Sequence, residues 1–174
     1  MDKNLWIGTD GNGLYVRNSS GTIRLFHRSG DSGADKINDI EMDNRNIWLA
    51  TTNGVFVIDK GSKTVKGPFD ITNGLPHNSI NKILLTSKGN AYIGTESDKL
   101  YMIDSELNIS SGNGIMNGST INKILSFTQN RNGEIWAATN GNGILGCLND
   151  SVSSINSSNG LGSNYCYSIL TDSE

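Results

Sequence analysis

The sequence predicts an all-β fold, a β-propeller made of four-stranded antiparallel blades, with four blades' worth of strands in 174 residues. Three observations predict it. Leu5-Trp6-Ile7-Gly8-Thr9 returns as Ile47-Trp48-Leu49-Ala50-Thr51, Ala91-Tyr92-Ile93-Gly94-Thr95 and Ile135-Trp136-Ala137-Ala138-Thr139, so the aromatic anchors are 42, 44 and 44 residues apart. A period of ~40–45 residues with strand-like content marks propeller blades. Apolar residues also alternate in short runs bounded by Asn, Asp and Gly, the pattern of half-buried strands and hairpin turns. Finally, only 18% of residues are charged, while 21 are glycine. That composition suits many short strands joined by tight turns.

The second repeat shows the scheme. Ile37–Met42 is a first strand, A, and Asp43-Asn44-Arg45-Asn46 a turn. Ile47–Thr51 is strand B, Thr52-Asn53-Gly54 a turn, and Val55–Ile58 strand C. A further turn at Asp59-Lys60-Gly61 leads to a weaker strand D near Thr64 to Phe69. Asn-Gly pairs support the hairpins. Strand A recurs at Ile80–Leu84, Ile121–Leu125 and Cys166–Leu170, and strand C at Leu14–Val16, Leu100–Ile103 and Ile144–Leu148. The links from D to the next A are Asn73–Asn78, Gly112–Asn117 and Ser158–Ser163.

The sequence therefore begins at a B strand and finishes on an A strand. Blades fall at approximately 5–33 plus 164–172, 34–76, 77–117 and 118–163. The A strand at Cys166–Leu170 is placed to pair with the B strand at Leu5–Thr9, which would cover two open edges. Three arrangements satisfy the count: a ring closed within one chain, a ring shared by two chains, or an arc of a larger ring. Self-association into a two-chain ring is the expectation. Because the first repeat begins at once, the sequence reads as a piece of a longer protein.

Net charge is -3 with no run of one sign, unlike the basic stripe of a nucleic-acid binder. No apolar run approaches the ~20 residues of a membrane helix, and the N-terminus has no signal-peptide pattern. Cys147 and Cys166 match no zinc or redox spacing. They read as small buried side chains, with a disulfide open if their strands adjoin.

In a propeller the B–C and D–A connections share one face, the usual ligand side. That face would carry Asp10, Asn12, Asn53, Glu96, Asn140 and Asn142 from B–C turns, and His77, Asn78 and Asn117 from D–A links. Amides and carboxylates there suit a hydroxyl-rich ligand, although Asn, Asp and Gly also populate turns for backbone reasons alone. The Gly-rich turns at 9–13 and 139–143 run from strand into strand, so they are hairpins rather than phosphate loops. Asp10-Gly11-Asn12 lacks the downstream glutamate of a calcium loop. His27 and His77 are too isolated for a metal cluster, and the tryptophans read as inter-blade packing. The sequence gives no catalytic residue, cofactor or metal. An enzyme would instead place shifted ionisable groups around the central channel, and a protein-docking platform would show an apolar outer patch.

Leu5 to Tyr15, Leu-Trp-Ile-Gly-Thr-Asp-Gly-Asn-Gly-Leu-Tyr, resembles the repeat of the two-component regulator propeller family. Asn73-Gly74-Leu75-Pro76-His77-Asn78-Ser79-Ile80 resembles that family's link into the next repeat. The resemblance runs through the whole chain, with Tyr92 in place of Trp and Ala50 and Ala138 in place of glycine. It implies a sensor module, not itself an enzyme, on the periplasmic or extracellular side of a membrane-anchored bacterial signalling receptor. It also implies oligosaccharide as the ligand class. The alternatives are a protein-docking platform and a propeller-based lyase or hydrolase.

Overall fold

A computed structural model describes residues 4–95, 100–111, 123–148 and 151–172. The described strands are β1 (Leu5–Gly8), β2 (Leu14–Asn18), β3 (Gly21–Phe26), β4 (Ile37–Met42), β5 (Asn46–Thr51), β6 (Gly54–Asp59), β7 (Val65–Phe69) and β8 (Ile80–Leu85). They continue as β9 (Ala91–Thr95), β10 (Tyr101–Ile103), β11 (Ile109–Ser111), β12 (Ile124–Gln129), β13 (Ile135–Thr139), β14 (Ile144–Leu148) and β15 (Ser151–Ile155). They form one three-stranded sheet, β1–β2–β3, and three four-stranded sheets, β4–β7, β8–β11 and β12–β15, each a meander of antiparallel neighbours. These four sheets are blades 1 to 4. Among the described residues a single 3-10 turn, Ile71–Asn73, is capped by Asp70 in the link to blade 3.

The recurring Thr and Gly of the motif have local reasons. The hydroxyls of Thr9, Thr51 and Thr139 donate to the Gly13, Gly54 and Gly143 carbonyls at 2.7–2.8 Å and close the B–C turns. The small residue before Thr allows the next blade to approach. A Cβ on Gly8 would stand 2.7 Å from Ile37 Cγ2, and one on Gly94 3.1 Å from Phe127. Ala50 and Ala138 are fully buried at the same position.

The hydrophobic core lies between blades. Ile47, Leu49 and Phe56 of blade 2 pack with Leu14 and Phe26 of blade 1. From its opposite face Trp48, Ala50, Val55 and Val57 pack against Ile80, Ile83 and Ile93 of blade 3. Ile124, Ala137 and Leu145 meet Leu100 and Tyr92 across the next junction. Period-2 alternation thus gives each strand one set of side chains for each neighbouring blade. Trp6, Trp48 and Tyr92 all sit in such junctions, the packing role read from the sequence.

The first strands of successive blades converge, with β4 against β8 and β8 against β12. One hydrogen bond repeats there. Asp39 accepts from the Ile83 amide 44 residues on at 3.1 Å, and Ser126 accepts from the Ile169 amide 43 residues on at 3.4 Å. The second bond locates the C-terminal stretch. Cys166 N–H donates to the Thr139 carbonyl at 3.0 Å, as Ile37 N–H does to Thr9 at 2.9 Å. Residues 166–170 therefore stand where the inner strand of a further blade belongs, against β12.

Two expectations are corrected. The described inner strand of blade 4 runs Ile124–Gln129, and the register gives Ile124 the place expected of Ile121. Ile121 and Asn122 of the expected strand lie outside the described residues. Ile124 pairs with Thr139 as Ile80 pairs with Thr95. The repeated Ile-Asn-Lys triplet was the misleading signal, because the stretch from Ile121 to Trp136 is three residues longer than that from Ile80 to Tyr92. Second, Cys166–Leu170 does not pair with β1. Blade 1 has three strands, and among the described residues no backbone hydrogen bond joins the two segments. The inter-blade stacking of 166–170 on β12 carries the segment away from that edge. Cys166 is a free thiol.

Candidate functional site

In blades 1, 2 and 4 the B–C turn is tied to the link that follows the blade. Gly11 and Gly13 donate to the Asp35 carbonyl at 3.1 and 2.9 Å, Gly54 to Asn78 at 2.7 Å, and Gly141 and Gly143 to Asn164 at 3.0 and 2.8 Å. This places the two loop sets on one face, as propeller geometry predicts.

Asn53 and Asn78 come together there. The Asn53 amide donates to Asp31 Oδ2 at 2.8 Å, and Asn78 Nδ2 donates to Asn53 Oδ1 at 3.4 Å. Asp10 pairs with Lys36 at 3.0 Å, with its side chain largely exposed. His77 is exposed. Asn12 and Asn142 donate their backbone N–H to the hydroxyls of Thr9 and Thr139. Asn140 donates its backbone N–H to Lys123 and is exposed. Glu96 and Asn117 lie outside the described residues. The structure thus groups Asn53 with Asn78 and distributes the other described candidates blade by blade.

Two acidic residues on the blade 1–2 link complete the cluster and were missed from the sequence. Asp31 accepts from the Ala34 amide at 2.9 Å and from Asn53. Burial works against its charge, but these bonds and the Arg28 guanidinium outweigh it and hold the carboxyl below its ordinary value of 3.8. Asp35 is 2% exposed, contacts His27 Nδ1 at 2.5 Å and accepts from the Arg28 amide at 2.8 Å. The signal existed in spacing. Asp35, Asn78 and Asn164 each stand two residues before the start of an inner strand. Asn78 and Asn164 both accept, through Oδ1, from a backbone N–H seven residues earlier. This position builds the link first and faces ligand only with what bonding capacity is left.

A groove of about 480 Å³ lies on the opposite face, between the A–B and C–D turns of blades 2 and 3. Trp48 and Val57 floor it, and Asp43, Arg45, Asp59, Lys66 and Leu107 line its wall. Arg45 Nε donates to Asp59 at 2.9 Å and the Trp48 indole to Asp43 at 3.3 Å. The Ser62 amide, then Arg45, holds the Asp59 carboxyl far below the usual range. Away from the groove lining, on β4, burial and then the neighbouring Asp39 charge raise the Glu41 carboxyl above 4.5, partly offset by Lys82.

These shifts give a signed pH prediction. Asp31, Asp43, Asp59 and Asp104 have folded values below their ordinary 3.8. Their stabilisation is complete above that value and is lost as pH falls through the lower folded values. Glu41 has the opposite sign: protonating it relieves the folded state as pH falls through its raised value. Thermal unfolding scans are therefore expected to show stability declining only below about pH 4. Asp43→Asn should flatten part of that decline, and an unchanged profile would contradict the assignment of the turn bonds.

No protein-family model matches the chain, and neither does any curated protein sequence. Solved structures do. The extracellular domain of BT3049 from B. thetaiotaomicron, assigned as a hybrid two component system, superposes with a TM-score of 0.75 at 24% identity. The match covers 91% of this chain and 22% of that one. The chain is a run of β-propeller blades. PorZ of Porphyromonas gingivalis, a surface component of the type-IX secretion system, matches with a TM-score of 0.66 and 16% identity over 84% of this chain and 23% of its own. The extracellular domain of BT4673 from B. thetaiotaomicron, assigned as a one component system, gives 0.56 and 20% over 98% and 29%. The propeller run thus spans under a third of each of these structures.

Proposed function

We propose that these blades form part of the ligand-sensing region of a bacterial signalling receptor, outside the membrane, with binding rather than catalysis as their task. The observation that carries the reading is the superposition on the BT3049 extracellular domain over 91% of the chain. The in-phase Trp-Ile-Gly-Thr repeats support it. The ligand class proposed is a neutral oligosaccharide held on the B–C and D–A face. The Asn53–Asn78–Asp31 cluster is central to it, because amides and a carboxylate in one network offer both donors and acceptors to hydroxyl groups.

A thermal-shift screen of neutral oligosaccharides tests this. Binding raises the apparent stability by about 2.7 kcal/mol when free ligand is 100-fold above its dissociation constant. A positive shift that Asn53→Ala abolishes and Arg45→Ala leaves intact supports the loop face. The reverse pattern moves the site to the groove of blades 2 and 3. Turnover of a sugar that Glu41→Gln suppresses would replace the sensor reading with a catalytic one.

A further inference from the structure

The groove between blades 2 and 3 is walled by two neighbouring blades, and strand register builds its floor. Trp48 pairs with Val57 and Val57 with Lys66, so the three side chains stand in one row across β5, β6 and β7, on the face turned to blade 3. The same register position carries Ile23 in blade 1, Ser110 in blade 3 and Ser153 in blade 4, so the fold itself does not call for a lysine there. Leu107 forms the opposite wall from the C–D turn of blade 3, at φ +70°. Left-handed backbone disfavours leucine, yet its side chain packs against the core of this junction. The acceptors of the groove are engaged and its cations are not. Asp43 accepts from the Arg45 and Asn46 amides at 2.7 Å and from the Trp48 indole at 3.3 Å. Asp59 accepts from the Gly61 and Ser62 amides and from Arg45 Nε, all at 2.9 Å. Among the described residues Arg45 engages Asp59 through Nε alone, with its side chain 81% exposed, and the Lys66 ammonium has neither ion pair nor hydrogen bond.

We propose that this groove binds a small organic acid, its single carboxylate held by the terminal nitrogens of Arg45 and the Lys66 ammonium, its carbon body lying along Val57 and Leu107. Charge complementarity selects the occupant. The open guanidinium fork matches a planar carboxylate through two parallel charge-assisted bonds, and an ammonium beside it adds a point charge. A cation would find the Asp43 and Asp59 oxygens already taken by their own turns. A dianion would gain from the same two cations but would bring a second charge against those two carboxylates. The volume, about 480 Å³, falls in the range of small-molecule sites. The groove shares no residue with the Asn53–Asn78–Asp31 cluster, so the inference stands whether or not a sugar is held on the loop face.

The test is a titration of the isotope-labelled 174-residue chain with sodium benzoate and with sodium glucuronate, followed by nuclear magnetic resonance at the Trp48 indole N–H and the Val57 and Lys66 amides. Benzyl alcohol and glucose are the uncharged matches, and sodium sulfate the plain inorganic dianion. Saturable shifts with at least one acid, at a Kd of about 1 mM or below, and none with the alcohol, glucose or sulfate, are expected. Arg45→Ala and Lys66→Ala should each raise that Kd about tenfold or more, the loss of one charge-assisted bond. Arg131→Ala, in the exposed A–B turn of blade 4, should leave it unchanged, which separates a built site from general surface charge. Arg45 and Lys66 are exposed, and circular dichroism shows that their variants keep the blades. Saturation by neither acid, an equal response to the uncharged matches or to sulfate, or an unchanged Kd in both groove variants would overturn the proposal.

Discussion

Phe56→Ala is expected to destabilise the chain by about 3–5 kcal/mol, the range for emptying a large aromatic site in a packed core. Phe56 is fully buried between blades 1 and 2, its ring 5.1 Å from that of Phe26 and 5.4 Å from the Arg28 guanidinium. Three stabilising elements converge on it: apolar burial, a tilted aromatic pair and a cation over its face. Gly67 backs the same ring, since a Cβ there would lie 3.3 Å from Phe56 Cδ1. Equilibrium urea unfolding reads the effect as a lower midpoint at nearly constant slope. In a stack of repeats each unit is held by its neighbours, so hydrogen exchange should quicken first in blades 1 and 2. A loss below about 1 kcal/mol would mean that the junction is not packed as described.

Gly143→Ala is the second large effect. The backbone at Gly143 has φ +77°, and a Cβ there would stand 2.3 Å from the Ile155 carbonyl oxygen. Left-handed backbone alone costs a non-glycine residue about 1–2 kcal/mol. The overlap adds to it, because the obstacle is backbone of the neighbouring strand and not a side chain that can turn away. Gly143 also supplies the carbonyl that Thr139 engages and the N–H that binds Asn164, so displacing it loosens the B–C turn and the following link together. Gly143→Asn separates the two causes. Asparagine tolerates the left-handed region better, but its Cβ meets the same carbonyl. Both variants should unfold at clearly lower denaturant, with Asn slightly milder. By contrast Gly11→Ala, at φ +96° with nothing within 4 Å of its Cβ, should show the backbone cost alone.

The repeat and its strands were legible because the pattern is dictated by burial on two faces. Trp48 and Ala50 must face blade 3 while Ile47 and Leu49 face blade 1, so apolar residues recur at every position of the B strand. The start of blade 4 was less legible. A copied Ile-Asn-Lys triplet outranked the spacing to the next aromatic anchor, and only the pairing of Ile124 with Thr139 resolves the register. The candidate site was partly legible. Turn residues could be assigned to a face from topology, yet sequence does not reveal which amides the fold has already engaged. Asn78 shows this, its Oδ1 taken by the Ile71 amide and its carbonyl by Gly54. Asp31 escaped notice because it lies in an irregular link where no period points to it, and Asp35 because it is an aspartate where the later repeats carry asparagine at the same offset. The groove beside Trp48 arises from the distance between two blades, which the sequence of either blade does not carry.

Stacking of ~43-residue modules through their inner strands is the claim on which the rest depends. Hydrogen exchange of the Ile83 amide measures it most directly, because that N–H is bonded across a blade boundary to Asp39 at 3.1 Å. In Asp39→Ala the Ile83 amide should lose protection while Ile93, bonded within its own sheet, keeps it. Ser126→Ala should do the same one blade further on, at Ile169. Unchanged exchange at Ile83 and Ile169 in both variants would show that the blades do not meet along these strands, and would contradict the propeller arrangement.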